Sequence, residues 1–185
     1  AERYEPAAIE PKWQGRWADL GLYDTDLDDR SKPRFYLLTM YDYPSGSLHI
    51  GHWYVKTPTD AIGRYHRMRG DNVFMPIGFD AFGLPAENAA IKRGIHPEKW
   101  TRQNIASMKQ QLVRLGFSYP WSREIATCDA TYYRWNQWIF LRMLERGIAY
   151  RAKAPVNWCP SCLTVLANEQ AEGGICWRCK NPVEQ

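Results

Sequence analysis

The chain has 185 residues, 45% of them hydrophobic and 24% charged, the balance of a globular protein with a core of its own rather than a disordered or low-complexity one. No apolar run approaches the roughly 20 residues of a membrane-crossing helix, and no leader-like segment opens the chain, so the expectation is a cytoplasmic protein without a membrane partner. A formal charge of +4 permits a nucleic-acid partner without demanding one.

In chain order, "YEPAAIEPKWQGRWADLGLY" predicts a short helix with Ile9, Trp13, Trp17 and Leu20 on one side. The acidic stretch "DTDLDDRSKP" follows as a solvated linker, which closes an N-terminal segment over residues 1–33. "RFYLLTMY" is a continuous apolar and aromatic run, the pattern of a strand buried on both faces. The turn Pro44–Ser45–Gly46–Ser47 then leads into His49 and His52 at the head of a helix. Thr57 and Pro58 mark a fresh helix start or a kink, and Gly70 stops the helix after Arg69. "NVFMPIGFDAFG" is a second buried strand with a glycine-rich exit. "PAENAAIKRG" predicts a short helix ending at Gly94. Ile105, Met108, Leu112 and Leu115 recur at helical spacing up to Gly116, and Tyr132, Trp135, Ile139 and Met143 do so up to Gly147. Strand, helix, strand and further helices over residues 34–154 predict an α/β fold with a parallel sheet. The character changes at "AYRAKAPVNWCP", where residues 155–185 begin a cysteine module.

His49 and His52 lie at i and i+3, on one side of a helix N-terminus that follows a strand and a Gly/Ser turn. Three readings compete there: two structural histidines, a metal pair, or a phosphate site. No further ligand stands nearby for a metal, whereas helix N-terminal N–H groups and the carboxyl end of a parallel strand both favour anions. Gly51 removes a Cβ between the imidazoles and allows a ligand close to the backbone. The residues alone thus point to a nucleotide site.

Cys159, Cys162, Cys176 and Cys179 form two C-x-x-C pairs separated by a short segment, the spacing of a structural zinc site, with free thiols or adventitious disulfides as the rivals. Four thiolates leave no open position for water, and a module this small needs the metal to fold. Cys128 stands apart and reads as a small buried residue.

"HIGH" (His49–His52), taken with "MYDYPSGSLHIGHW", "GFDAFGLPAENAAIK", "YYRWNQWIFL" and "NWCPSCLTVLANEQ", resembles the leucyl branch of the class I aminoacyl-tRNA synthetases over essentially the whole chain. That resemblance implies the first half of a Rossmann-like nucleotide-binding domain with a zinc-ribbon-like appendage. It implies ATP with Mg2+, leucine and tRNA(Leu) as ligands, structural Zn2+, and a monomeric enzyme. By the same resemblance, His49 and His52 are catalytic and bind ATP together with Gly51. Asp80 holds the leucine ammonium group, although alone it reads as a loop or cap aspartate. Met40, Tyr41 and Tyr43 wall the leucine pocket, although an aromatic stripe is otherwise core. Asp42 departs from the family's proline, and its role stays open between touching the substrate ammonium, capping the turn and facing solvent. The family's second ATP signature, "KMSKS", is absent from these residues, so the expectation is half of an active site, with the remaining synthetase domains in cis or on a second chain. The rival reading is a non-catalytic, zinc-containing RNA- or protein-binding module derived from a synthetase.

Overall fold

The two apolar runs lie side by side, as a strand–helix–strand unit requires. In the computed structural model, which describes residues 3–185, β1 (Arg34–Tyr36) pairs in parallel with β2 (Asn72–Phe74), and α2 (Ile50–Met68) makes the crossover between them. Pro76 has no N–H to give to a ladder, and the second run breaks around it into β2 and β3 (Gly78–Phe79). Phe79 bridges Asp42 of the first run on one side, and β3 pairs with β4 (Ile125–Ala126) on the other, both in parallel. The α/β class with a parallel sheet therefore holds.

The second run is buried on both faces from Met75 through Pro76, Ile77 and Gly78 to Phe79, with Val73 also in the interior. The first run is not. Thr39 is buried and Phe35 and Leu37 half-buried, but Tyr36, Leu38 and Met40 between them are exposed, because that face borders a cavity rather than the core. Helix α4 (Pro97–Arg114) closes the core by laying Ile105, Met108 and Leu112 beside Met75, Ile77, Phe79, Phe117 and Tyr119. Leu115, expected on that face, caps the helix and is exposed. The short helix α3 (Leu84–Lys92) precedes α4 and ends before Gly94, whose φ of +64° suits a glycine.

No new helix starts at Thr57: α2 runs through Pro58 without a break in assignment, and the Thr57 hydroxyl is buried without a hydrogen-bond partner instead of capping. The far side of the proline is held by tertiary bonds from Asp60, which outweigh the one backbone hydrogen bond lost. The N-terminal helix α1 (Pro6–Asp19) buries no residue fully, and the linker after it is pinned rather than merely solvated. Thr25 is buried there and donates from Oγ1 to the Val73 carbonyl at 2.7 Å.

Residues 1–137 and 138–185 form two compact units, and the division falls inside α5 (Ala130–Glu145). No residue of α5 is buried: Trp135, Ile139 and Met143, expected to pack, are exposed. In the second unit, β5 (Asn157–Cys159) and β6 (Thr164–Leu166) form an antiparallel hairpin, and bridges Trp158↔Glu184 and Ile175↔Pro182 fold the chain end against itself. Among the described residues, no helix is long and apolar enough to cross a membrane.

Gly78 is where strand and cavity wall meet most tightly. A Cβ there would sit 2.8 Å from the Tyr41 ring and 2.9 Å from Ile125 Cγ1. Gly78→Ala is therefore expected to cost about 1–3 kcal/mol in urea unfolding, and to displace Tyr41. A cost near zero would mean that ring moves freely.

Candidate functional site: a histidine-capped helix beside a strand-end cavity

His49 is the N-cap of α2, and the two imidazoles cap it reciprocally. His49 Nδ1 accepts from the Gly51 N–H at 3.1 Å, and His52 Nδ1 accepts from the His49 N–H at 3.1 Å. The rings lie 4.0 Å apart between centroids. The sequence had suggested free N–H groups at this turn. Two of them are instead occupied by the histidines, so a phosphate would compete with imidazole nitrogens for them. The space above Gly51 is filled the same way: a Cβ would meet His49 Cε1 at 2.9 Å. With Nδ1 accepting, a neutral ring carries its proton on Nε2. His52 Nε2 faces Asp42 Oδ1 at 3.7 Å, and burial is the main force holding its pKa below the ordinary histidine value.

Asp42, whose role the sequence left open, neither caps a turn nor faces solvent. It is 5% exposed, and its Oδ2 lies 3.1 Å from Nζ of Lys56, itself 1% exposed. The loop before the histidines is tied to α4: Asn104 Nδ2 donates to the Pro44 carbonyl at 2.9 Å, and Gln111 Oε1 accepts from the Leu48 N–H at 2.9 Å.

Met40, Tyr41, Tyr43 and Asp80 come together around a cavity of about 380 Å³ at the carboxyl ends of the strands. Sequence reading missed Tyr36, Leu38, Thr39, Thr127 and Tyr132, which complete the wall. Thr127 has a distinct part: its Oγ1 accepts from the Ala81 N–H at 2.8 Å and donates to Asp80 Oδ1 at 3.3 Å, which steers the carboxylate. Nothing in "ATCD" marks that threonine. Burial raises the Tyr41 phenol above its usual range, with Tyr36 and Tyr132 adding to the effect, so the aromatic part of the wall is neutral and Asp80 is its carboxylate. A cavity of about 710 Å³ along α1, lined by Trp13, Trp17, Trp53 and Arg64, contains neither Asp80 nor the histidines.

The four cysteines of the module also converge. Their sulfur atoms all lie within 4.8 Å of one another, with Cys159 and Cys179 3.5 Å apart. Tetrahedral Zn–S bonds of about 2.3 Å place sulfurs about 3.8 Å apart, so the donor set fits. The backbone N–H of Cys179 lowers the Cys176 thiol to about 6, while hydrogen bonding among the crowded thiols, led by Cys179, raises Cys162 to about 12. Cys128 is half-buried and lies outside this cluster.

Residues 12–173 match the family model for class I tRNA synthetases (I, L, M and V). The chain is 61% identical to a leucine–tRNA ligase of Rubrobacter xylanophilus, over 97% of this chain and 22% of that protein. It is 60% identical to a leucine–tRNA ligase subunit alpha of Aquifex aeolicus, over 100% of this chain and 29% of that one. Its fold is similar to the Agrobacterium radiobacter K84 LeuRS–tRNA–LeuAMS ternary complex, with a TM-score of 0.91 and 41% identity over 98% of this chain and 23% of that one. The chain thus spans under a third of the length of the relatives it matches. The family match across residues 12–173 and the identities of 60–61% over nearly the whole chain place this chain in the class I tRNA synthetase family (I, L, M and V).

Proposed function

We propose that this chain is the histidine-bearing half of the adenylate-forming site of a leucine–tRNA ligase, with residues 34–154 as the catalytic half-domain and residues 155–185 as a zinc module. The observation that carries it is the cavity of Met40, Tyr41, Tyr43 and Asp80, which begins one strand–turn away from the histidine-capped helix. Asp80, steered by Thr127, accepts hydrogen bonds from the leucine ammonium group, and the aromatic wall takes the isobutyl side chain. A leucine carboxylate oxygen then attacks the α-phosphorus of ATP, the bond to pyrophosphate breaks, and leucyl-adenylate forms. Mg2+, held by the phosphates, offsets their charge. His49 and His52 leave their backbone caps and donate from Nε2–H to phosphate oxygens as negative charge builds on the leaving group. The leucyl group passes to tRNA(Leu), and the "KMSKS" half of the site comes from further synthetase sequence, in cis or on a second chain. Such an enzyme works in the cytoplasm and needs no partner copy of this chain. The Zn2+ holds the module's shape and takes no part in the chemistry.

Leucine-dependent exchange of pyrophosphate into ATP tests this, with the chain alone and mixed with a downstream half. Exchange should appear only in the mixture, and His52→Ala should lower it about 100-fold, the scale of a lost transition-state donor. Asp80→Asn should raise the KM for leucine about tenfold or more with a smaller change in kcat. Exchange that survives His52→Ala would remove the histidine from the reaction. Its absence from every mixture would favour a binding module instead.

A further inference from the structure

One buried pair beside the histidines has no part in the reaction just described. Lys56 stands one helical turn beyond His52 on α2, and Asp42 reaches it from the segment that follows β1. A buried lysine and a buried aspartate are costly to place, and a purely structural contact here needs no charge. Their placement is specific: one Asp42 oxygen faces the Lys56 ammonium at 3.1 Å, and the other faces His52 Nε2 at 3.7 Å. We propose that Asp42 and Lys56 are a positioning pair for His52: the carboxylate fixes the imidazole proton on Nε2, and the ammonium cancels its charge so that the ring stays neutral. The consequence for catalysis rests on the function proposed above; the effect on the ring does not.

The opposing influences are all identifiable. Burial acts most strongly and, with the charges of His49 and Lys56, opposes a charged imidazole; Asp42 and the backbone hydrogen bond with His49 favour one, and opposition prevails. Among the described residues, Tyr119 also stands against the pair, its ring 5.6 Å from Lys56 Nζ. Burial lifts its phenol well above the ordinary range, so it stays neutral and adds no charge near physiological pH. With Lys56 charged, Asp42 orients His52 without protonating it. Without Lys56, the same carboxylate draws a second proton onto the ring, the Nδ1 acceptor is lost, and the reciprocal cap opens. Lys56 would thus set the charge of a residue that it does not bond.

The test is a 15N-histidine NMR titration of the 185-residue chain, with His96 as internal reference. Lys56→Met should move the His52 midpoint up and Asp42→Asn should move it down, with loss of the single Nε2–H tautomer. The double variant should return the midpoint toward the starting value, and Lys56→Arg should leave it in place. If Lys56→Met does not fold, Asp42→Asn, Lys56→Arg and the double variant still decide. A His52 midpoint and tautomer unmoved by Asp42→Asn would overturn the assignment and leave a structural ion pair. In the exchange assay, Lys56→Met should lower kcat about tenfold at an unchanged KM for leucine, as removal of an outer hydrogen-bonding partner does, and the double variant should recover most of it. Midpoints that move in a protein that never catalyses exchange would sink the proposed function and keep the pair. Exchange that falls while the midpoints stay fixed would do the reverse.

Discussion

Stripping the metal from the cysteine module is expected to unfold residues 155–185 and to leave the sheet of the first unit folded. The hairpin of β5 and β6 has three register pairs, and among the described residues the buried apolar cluster around it is Cys159, Leu166 and Cys176, with a few half-buried neighbours. Two of those three are the candidate ligands themselves. An isolated two-stranded hairpin is marginal in water, so little apart from the metal remains to hold this one. Structural zinc supplies on the order of 10–16 kcal/mol in comparable small modules, far more than the hairpin provides. The metal-free thiols also conflict. Cys176, brought down to about 6, loses its proton readily, while Cys162, pushed up to about 12, keeps its own; zinc requires all four deprotonated. Binding should therefore release protons and weaken as pH falls. Hydrogen exchange after chelation is the direct measure: amides of residues 157–184 should lose protection while those of β1 to β3 retain it. Protection that persists across the module in a verified metal-free sample would show that the module folds on its own. Metal analysis should give about one zinc per chain, and Cys176→Ser should reproduce the chelated state.

What could be read from the sequence follows from how local each signal is. The histidine pair at the head of α2 and the cysteine knuckles were legible because their residues lie three or four apart, at spacings that backbone geometry converts directly into proximity, although the reciprocal cap was not. Helix ends were legible for the same reason: Gly94, Gly116 and Gly147 all take up positive φ. The run "RFYLLTMY" was misread because an apolar residue scores alike whether it faces a core or a ligand cavity. Tyr36, Leu38 and Met40 line the cavity. The exposed stripe of α5 repeats that lesson, since periodicity identifies an apolar face but not what covers it. Pairings between distant segments were invisible. Nothing in the sequence links Asp42 to Lys56, Thr127 to Asp80, or Asp60 to Ser118, because long-range polar contacts leave no periodic trace. The fresh helix start offered at Thr57 and Pro58 fails for the same reason, since the bonds that carry α2 past the proline come from residue 118.

That last contact predicts the largest single-residue loss of stability in the first unit. Asp60 is buried, and both its oxygens are engaged: Oδ1 accepts from the Ser118 N–H at 2.7 Å and the Ser118 hydroxyl at 2.6 Å, and Oδ2 accepts from Arg64 Nε at 2.7 Å. Arg64 also donates to the Tyr23 hydroxyl and the Gly116 carbonyl, and Arg67 donates to the Ser118 hydroxyl at 2.8 Å. One carboxylate thus ties α2 to the turn after α4 and, through Arg64, to the linker after α1. Asp60→Ala removes the acceptor but leaves two guanidinium groups partly out of water and a buried N–H without a partner. The price of such an uncompensated site is about 3–5 kcal/mol, a large share of the stability of a small domain. Asp60→Asn should cost less, because its carbonyl oxygen still accepts from Ser118 while the charge opposite the arginines is gone. Urea unfolding followed at the tryptophans measures both. The expected order is wild type, then Asp60→Asn, then Asp60→Ala, with little change in m value. A loss below about 1 kcal/mol for Asp60→Ala would place the network among surface ion pairs of little worth. The site's geometry depends on the same bond. Lys56 and Asp60 are one turn apart on α2, on either side of a proline that breaks the helix's own ladder. With Ser118 released, the helix is free to bend at Pro58, and the turn that presents His49 and His52 loses its fixed bearing on the cavity. Asp60→Ala should therefore lower exchange even at temperatures where the chain stays folded, although Asp60 lines neither the histidine turn nor the strand-end cavity.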